Sequence, residues 1–508
     1  MAHGDKKRLL VFIVAYNAER TISKVVSRIP ATLNDQYDVD VLIIDDASSD
    51  ATFEQSRAAS EQRAPFPIRV LTNPLNQGYG GNQKLGYHYA ILHGYDFVAL
   101  IHGDGQYAPE CLPTLLEPFR NGETAAVFGS RMLAPSSALA GGMPLYKYAG
   151  NRILTWIENR LLDTNLSEFH SGYRIYSTRA LSRIPFDRNS NDFHFDTEII
   201  IQLLIAGLPI VELPIPTYYG DEICYVNGMK YAVQVVAAAM KARLQQAGIL
   251  YDRKFDCASP GNARYVPKFS YSSPHELALR RVPDGSRVLD IGCAGGYMGE
   301  MLHRQKGCAV DGIDSVPCGQ PALSAFYLQD LNAGLPRLDF GRYDYVLMLD
   351  VIEHLAAPEA FLEYLRKMVA VNPSVEVMIS TANIGYFIPR LMLFLGQFNY
   401  GKVGILDMTH TRLFTFRSFE RAVEQAGFDI LEGTGVPGPF PLALGENFLS
   451  RLLLNINRLL IHLSRGLFSY QIFLRIRPRP SLDVLLMRAE DQSRRRVEAI
   501  VSASGHER

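Results

Sequence analysis

The 508-residue chain carries no excess of charge: 51 basic residues stand against 52 acidic ones, a formal net charge of −1. Without a global positive field, or a stripe of Lys and Arg suited to a phosphate backbone, nucleic acid is excluded as an expected partner. Cysteine is sparse. Its six positions, Cys111, Cys224, Cys257, Cys293, Cys308 and Cys318, show neither the paired CxxC spacing of zinc sites nor a dense disulfide framework, and they read as reduced thiols of a cytoplasmic protein. Apolar runs stop short of the roughly 18 residues that a membrane-spanning helix needs. The nearest approach, 377–401, is broken by Pro389, Arg390 and several glycines. The opening MAHGDKKRLLVFIVAYN moves from a charged leader into a strand pattern, without the apolar region and small-residue cleavage site of a signal peptide. There is no fixed-period repeat and no low-complexity tract.

What the chain does have is length for more than one core and two stretches of strand–helix alternation. From residue 8 to about 220 the runs LLVFIVAY, DVLIID, IRVLTN, FVALIHGD and AAVFGS alternate with helix-like segments such as TISKVVSRI and CLPTLLEPF. Residues 229–247 read as an apolar-rich helix, and 251–274 mix charge, Gly, Pro and Ser without periodicity, as a linker does. Alternation resumes at Ser286 with SRVLDIG, CAVDGID, DYVLMLD and VEVMISTA. The expected fold is α/β, with two Rossmann-like three-layer domains, each a mostly parallel sheet between helices. They span 1–250 and 275–440, joined by the linker 251–274 and followed by a helical extension and tail over 441–508. In such sheets ligands bind at the carboxyl ends of strands.

The first motif set runs VAYNAERT (14–21), IIDDASSD (43–50), NQGYGGNQ (76–83), IHGDGQYAPE (101–110) and HSGYR (170–174). Tyr16 can pack on a nucleotide base, and Asp46 can accept from its N–H. Asp104, between Gly103 and Gly105, offers an oxygen ligand to Mg²⁺ or Mn²⁺ where backbone can approach closely. His102 beside it suits Mn²⁺ better than Mg²⁺, or merely ends the strand. The 76–83 loop presents amides ahead of a helix, and Arg131 could clamp a diphosphate. In FHFDTEI, Asp196 and Glu198 are candidates for the base that deprotonates a sugar hydroxyl, or for helix-N-terminal carboxylates favoured by the dipole. Over residues 8 to about 225 these motifs resemble the family 2 glycosyltransferases of the GT-A fold, nearest the branch that includes dolichyl-phosphate mannose synthase. The resemblance implies that Tyr16 and Asp46 contact the base, Asp104 and Gln106 the metal, and Arg131 the diphosphate. It also places Ser171, Gly172 and Arg174 on the acceptor side, with Arg174 suited to an anionic acceptor, and implies inversion of the anomeric centre. The chain departs from the family pattern at Val14, where proline is usual, at Ala18, where an acidic residue is usual, and at His102, where aspartate is usual.

The second set is VLDIGCAGGYMG (288–299), DGID (311–314) and YDYVLMLDVIEHL (343–355). A strand ends at Asp290, a glycine-rich turn follows, and Asp314 stands at the end of the next strand, placed to accept from ribose hydroxyls. The acidic residue ahead of the glycines, as in DxGxxG, opposes a dinucleotide-binding domain with GxGxxG. The set resembles the class I S-adenosylmethionine-dependent methyltransferases over about 270 to 435. That implies that Asp290, Gly292 and Gly295 line the methionine part of the cofactor, Asp314 its ribose and Asp330 its adenine; Ala294 stands where glycine is commoner. For a hydroxyl acceptor the candidate bases are His354, which also reads as a structural histidine, and His410, in DMTHTRLFTF where this family builds its acceptor pocket. Finally, FLSRLLLNINRLLIHLSRGLF (448–468) spaces Arg451, Arg458 and Arg465 seven residues apart. That is the pattern of a membrane-surface helix or, more commonly, of a core-facing helix with snorkelling arginines.

The expected protein is a bifunctional enzyme of glycan or glycolipid biosynthesis. It would transfer a sugar, with inversion and a divalent metal, from a nucleotide-sugar donor to a glycan or lipid-phosphate acceptor, and would also methylate with S-adenosylmethionine. Peripheral contact with the inner face of the membrane is an option. The alternative is a methyltransferase whose first domain recognises a nucleotide sugar or glycan without turnover.

Overall fold

The computed structural model describes residues 6–61, 65–217, 227–246, 250–257, 269, 271–319, 322–441 and 447–480, with 485–486, 489–490, 492–494 and 496 in the tail. Its contacts divide the chain into two compact units: Met1–Gln245 with Tyr251–Asn262, and Gln246–Leu250 with Ala263–Arg508. The five described cysteines are free, and Cys224 lies outside the described residues. Among the described residues no helix is long and apolar enough to cross a membrane.

The first unit is built on strands β1 (Lys7–Ala15), β2 (Tyr37–Asp45), β3 (Ile68–Thr72), β4 (Phe97–His102), β5 (Ala126–Ser130), β6 (Arg174–Ser177) and β7 (Ile210–Pro214). They form one sheet in the order β3-β2-β1-β4-β6-β5-β7, with β6 antiparallel to both its neighbours. β1 is apolar on both faces because both are covered. Leu9, Val11 and Ile13 feed one core, and Leu10 and Phe12 the other. The register then sets the site. Ala15 of β1 pairs with Asp45 of β2, and Val14 pairs with His102 of β4, so three of the sequence motifs leave the sheet side by side. The chain order turns back between β1 and β4, which is where such sheets open a crevice.

The second unit contains β8 (Arg287–Ile291), β9 (Ala309–Asp314), β10 (Ala325–Leu328), β11 (Tyr345–Leu349), β12 (Glu376–Ala382), β13 (Phe428–Val436) and β14 (Gln471–Pro478), ordered β10-β9-β8-β11-β12-β14-β13. β14 is antiparallel to both β12 and β13.

Two boundaries differ from expectation. The last strand is an inner strand: Ile472, Phe473, Leu474 and Ile476 have no exposed surface, so this unit runs through Pro478, and the described residues 447–470 are an excursion within it. The start of the expected linker belongs to the first unit. Phe255 packs on Ile201, Ala238, Ala239 and Ala242, and Lys254 pairs with Glu198 at 2.7 Å.

Candidate active sites

In the first unit the loops after β1, β2 and β4 carry the candidate residues. Tyr16 is exposed just past β1, next to Asn17, whose φ of 49° bends the chain away from the strand. Asp46 is buried, and its Oδ1 accepts from Asn73 Nδ2 at 2.6 Å and from the Gln77 N–H at 2.8 Å. Its neighbour Asp45 is spent on Ser48 and Thr72. Asp104 is exposed in the loop after β4, and its Oδ1 takes the Gln106 N–H at 3.0 Å.

His102 is the centre of a network that the sequence did not announce. Its Nε2 lies 3.1 Å from the Tyr79 hydroxyl, which donates to Asp196 Oδ2 at 2.9 Å. Asp196 Oδ1 accepts from Gln83 Nε2 at 3.2 Å. Because the Tyr79 proton goes to the carboxylate, its oxygen accepts from His102, which fixes the Nε2–H tautomer and leaves Nδ1 with its lone pair. Burial, with the Asp196 charge, holds the Tyr79 phenol well above its usual range, and burial pushes the His102 imidazole down. The loop carrying Gly172 lies directly against this ring: a Cβ there would stand 2.5 Å from His102 Cε1. The glycine of HSGYR is therefore required by the imidazole itself.

Other expectations change. Glu198 does not join this network; its oxygens take the Ser190 N–H at 2.6 Å and Lys254 Nζ at 2.7 Å. Arg174 is buried, not open to an acceptor. It donates to the backbone oxygens of Ser171, Asp196 and Phe169 and lies over the Phe128 ring, so it braces the loop instead. Arg131 is gripped by Glu168 through Nε and Nη2 and also reaches the His170 carbonyl. Burial opposes ionisation of Glu168, but the guanidinium overcomes it and holds the carboxyl below its ordinary range. The amides of the 76–83 loop are largely spent: Gln77 N–H on Asp46, Gly78 N–H on Asn76, and Gly80 N–H on the Asn191 carbonyl. Among the described residues no three His, Cys, Asp or Glu side chains converge as a metal cluster. An ion here would rest on His102 Nδ1, Asp104 and Gln106, a mixed nitrogen and oxygen set compatible with Mn²⁺.

In the second unit Asp290 is the last residue but one of β8, and a turn through Gly292 (φ 77°), Ala294 (φ 47°) and Gly296 (φ 73°) leads into the helix Tyr297–Lys306. Ala294 occupies a left-handed conformation, the physical reason glycine is commoner there. A Cβ on Gly292 would strike Val351 at 2.4 Å, whereas beside Gly295 there is open space. Asp314 receives the Ala294 and Val316 N–H groups at 2.7 and 2.9 Å, one on each oxygen, and is half-buried, so each oxygen keeps a further lone pair. Asp330 is exposed past β10 and caps a short 3₁₀ turn through Asn332. Asp290 is 4% exposed and its Oδ2 has no hydrogen-bond partner. Burial, and secondarily the Asp314 charge, push it up to about 7.

The family comparisons divide the chain in the same way. The model for glycosyl transferase family 2 matches residues 10–184, and that for a methyltransferase domain matches 263–432. The chain is a fusion of these two families. Over 215 residues it is 29% identical to an undecaprenyl-phosphate mannosyltransferase of Micrococcus luteus, covering 41% of this chain and 82% of that one. A UDP-N-acetylglucosamine–dolichyl-phosphate N-acetylglucosaminyltransferase of Methanococcus voltae is 28% identical over 225 residues, 42% of this chain and 87% of its own. The second half is 29% identical over 171 residues to a ubiquinone biosynthesis O-methyltransferase of Pseudomonas aeruginosa, 30% of this chain and 68% of that one.

In the methyltransferase domain both candidate bases meet. The Thr411 N–H donates to the Glu353 carbonyl at 2.8 Å, which brings the 409–411 loop onto the end of β11 and sets the His354 and His410 rings edge to face, 4.8 Å apart. His410 Nδ1–H donates to the Ile405 carbonyl at 2.9 Å, leaving Nε2 as the basic nitrogen, and burial keeps the ring neutral by pushing it below its usual range. Two carboxylates here escaped the sequence reading although both lie in DVIEHL. Asp350, at φ 56°, accepts from Ser380 and Gln471. Glu353 is buried with Oε2 unpartnered, and burial with the Asp350 charge raises it to about 8.

Proposed function

We propose that the chain is a bifunctional enzyme. The glycosyltransferase domain moves a sugar, with inversion, from a nucleoside diphosphosugar to a prenyl-phosphate or glycan acceptor, and the methyltransferase domain methylates an oxygen of a glycan or glycolipid with S-adenosylmethionine. The observation that carries this reading is the buried carboxylate of Asp290, whose Oδ2 has no hydrogen-bond partner. An anionic group without a donor costs several kcal/mol in a protein interior, and the α-ammonium of S-adenosylmethionine supplies the missing donor. The Micrococcus and Methanococcus relatives, whose names specify undecaprenyl and dolichyl phosphates, support a lipid-phosphate acceptor.

A bound divalent cation would neutralise charge on the departing nucleoside diphosphate. His102, Asp104 and Gln106 would hold it, with Tyr79 and Asp196 orienting the imidazole as second-sphere partners do. Tyr16 would pack on the base, Asp46 would accept from it, and Arg131 would approach the diphosphate with Glu168 behind it. Both carboxylates of FDTEI are engaged, which suits an acceptor phosphate: already anionic, it needs no base. In the second domain Asp290 would hold the cofactor's ammonium, Asp314 its ribose and Asp330 its adenine. His410 Nε2 would take the proton of the attacking hydroxyl, as positioning brings the acceptor in line with the methyl.

The replacement of the usual aspartate by His102 favours one other reading, a glycosyltransferase fold that binds a nucleotide sugar without turning it over. Purified chain should transfer label from a nucleotide sugar to polyprenyl phosphate with Mn²⁺, and Asp104→Asn should not. Donor binding without transfer, across a panel of nucleotide sugars and acceptors, would establish the recognition module instead.

A further inference from the structure

The helix Phe448–Leu463 is amphipathic in the inverted sense. Ser450, Leu454 and Asn457 are its buried positions, and Asn457 is consumed inwardly, accepting from the Gly438 N–H and donating to the Phe468 carbonyl. Leu449, Leu452, Ile456, Leu459 and Leu463 advance by three or four residues and face outward, Leu463 being 79% exposed. Arg451, Arg458 and His462 follow one edge of that stripe by the same periodicity. The core-facing arrangement expected from its composition is therefore not what forms.

A second apolar surface adjoins it. The helix Phe387–Phe394 and the loop after it leave Leu391, Leu393, Phe394, Leu395 and Phe398 exposed, Phe394 at 85%. Its Phe387 ring lies 6.1 Å from that of Phe468, just beyond the first helix. Between the two opens a cavity of about 1180 Å³ whose lining includes Arg390, Arg417, Arg458, Arg465 and His462. The one carboxylate in that lining, Glu420, is already paired with Arg465 at 2.8 Å. No described carboxylate pairs with Arg390, Arg417 or Arg458. The charged residues within 384–406 are Arg390 and Lys402, and those within 447–468 are Arg451, Arg458 and Arg465, with no acid in either stretch.

We propose that this face docks on an anionic lipid bilayer, the leucine and phenylalanine side chains entering the acyl boundary while a lipid phosphate occupies the arginine-lined cavity. The charge supports a bilayer over a protein partner: an apolar stripe edged by bases with no acids is what an interfacial helix presents to anionic lipid. The docking is independent of the activities proposed above, because it concerns neither the donor nor the cofactor site.

The test is co-sedimentation of the full chain, without donor or S-adenosylmethionine, with vesicles of phosphatidylcholine alone or mixed with phosphatidylglycerol. The chain should bind the mixed vesicles and should release them as salt screens the arginines. Each arginine near such a surface is worth about fivefold, so the triple variant R390Q/R417Q/R458Q should bind roughly a hundredfold more weakly. The triple variant F394S/L459S/L463S should also lose binding. All six positions line the cavity or the exposed face, and an unchanged unfolding midpoint verifies each variant. As a readout that does not depend on those variants, Phe448→Trp in a Trp156→Phe background should shift its emission to the blue on mixing with anionic vesicles. Undiminished binding by both triple variants overturns the proposal. So does full competition by millimolar inorganic phosphate, which would mark a small-anion pocket, or a dimer dispersed by the serine substitutions, which would mark a self-interface.

Discussion

Lowering the pH should weaken S-adenosylmethionine binding by a predictable amount through Asp290. Burial, and secondarily the Asp314 charge, push this carboxyl up to about 7, and only its ionised form can pair with the cofactor's ammonium. An α-amino group stays protonated below about 7.7, so the ligand does not titrate over the same range. The ionised fraction of Asp290 is about one half at pH 7 and about one hundredth at pH 5, which makes the dissociation constant roughly fiftyfold larger at pH 5, or about 2.3 kcal/mol. The Asp290→Asn variant keeps the shape and removes the titration. Its affinity should be lower by about one to two powers of ten at pH 7, the value of a charge-assisted hydrogen bond, and nearly flat from pH 5 to 7. Titration calorimetry at pH 5, 6 and 7 measures both. A wild-type affinity that does not change with pH, or an Asp290→Asn profile as steep as that of the wild type, would refute the reasoning.

Glu353 and Asp290 both have folded-state values raised above those of an unfolded chain, so the stability they contribute is full below about pH 4 and is lost as the pH rises to about 8. Urea unfolding of the methyltransferase domain should therefore show a falling midpoint over that window, flattened by Glu353→Gln; an equally steep fall in the variant counts against the buried-acid assignment. Tyr79→Phe removes the hydroxyl between His102 and Asp196, and should reduce Mn²⁺-supported sugar transfer about 10- to 100-fold while leaving S-adenosylmethionine affinity intact; full transfer by the variant would show that the link does not position the imidazole. Proteolytic or genetic separation near Gly261 should give two soluble fragments, since Phe255 stays with the first core and β14 with the second. A fragment that unfolds on its own would place the boundary elsewhere.

The parallel strands were legible because β1, β8 and their neighbours are short β-branched runs ending in polar loops, and Asp46, Asp104, Asp290 and Asp314 do stand at or next to the carboxyl ends of strands. The antiparallel β14 was not. Its run QIFLRIRP follows a leucine-rich helix and is separated from β13 by 437–470 and from β12 by 383–470, and no local pattern reports a pairing across that distance. The same limit applied to side chains. Asp196 and Glu198 are equivalent in FDTEI, and only packing shows one linked to Tyr79 and the other to Lys254. Arg174 likewise reads as a surface cation from its sequence setting, whereas the fold buries it against three carbonyls. Tyr79 was visible as a letter within NQGYGGNQ but carried no signal, because its role depends on a histidine 23 positions away.

The most direct test of a two-activity chain is mass analysis of the product formed when the intact protein is given a labelled nucleotide sugar, polyprenyl phosphate and methyl-labelled S-adenosylmethionine together. The expected product is a glycolipid that carries sugar label in the wild type and in Asp290→Asn, methyl label in the wild type and far less of it in Asp290→Asn at limiting S-adenosylmethionine, and neither label in Asp104→Asn. Methyl transfer to a ready-made glycolipid with no sugar transfer from any donor would contradict it, leaving a methyltransferase with a sugar-nucleotide recognition domain.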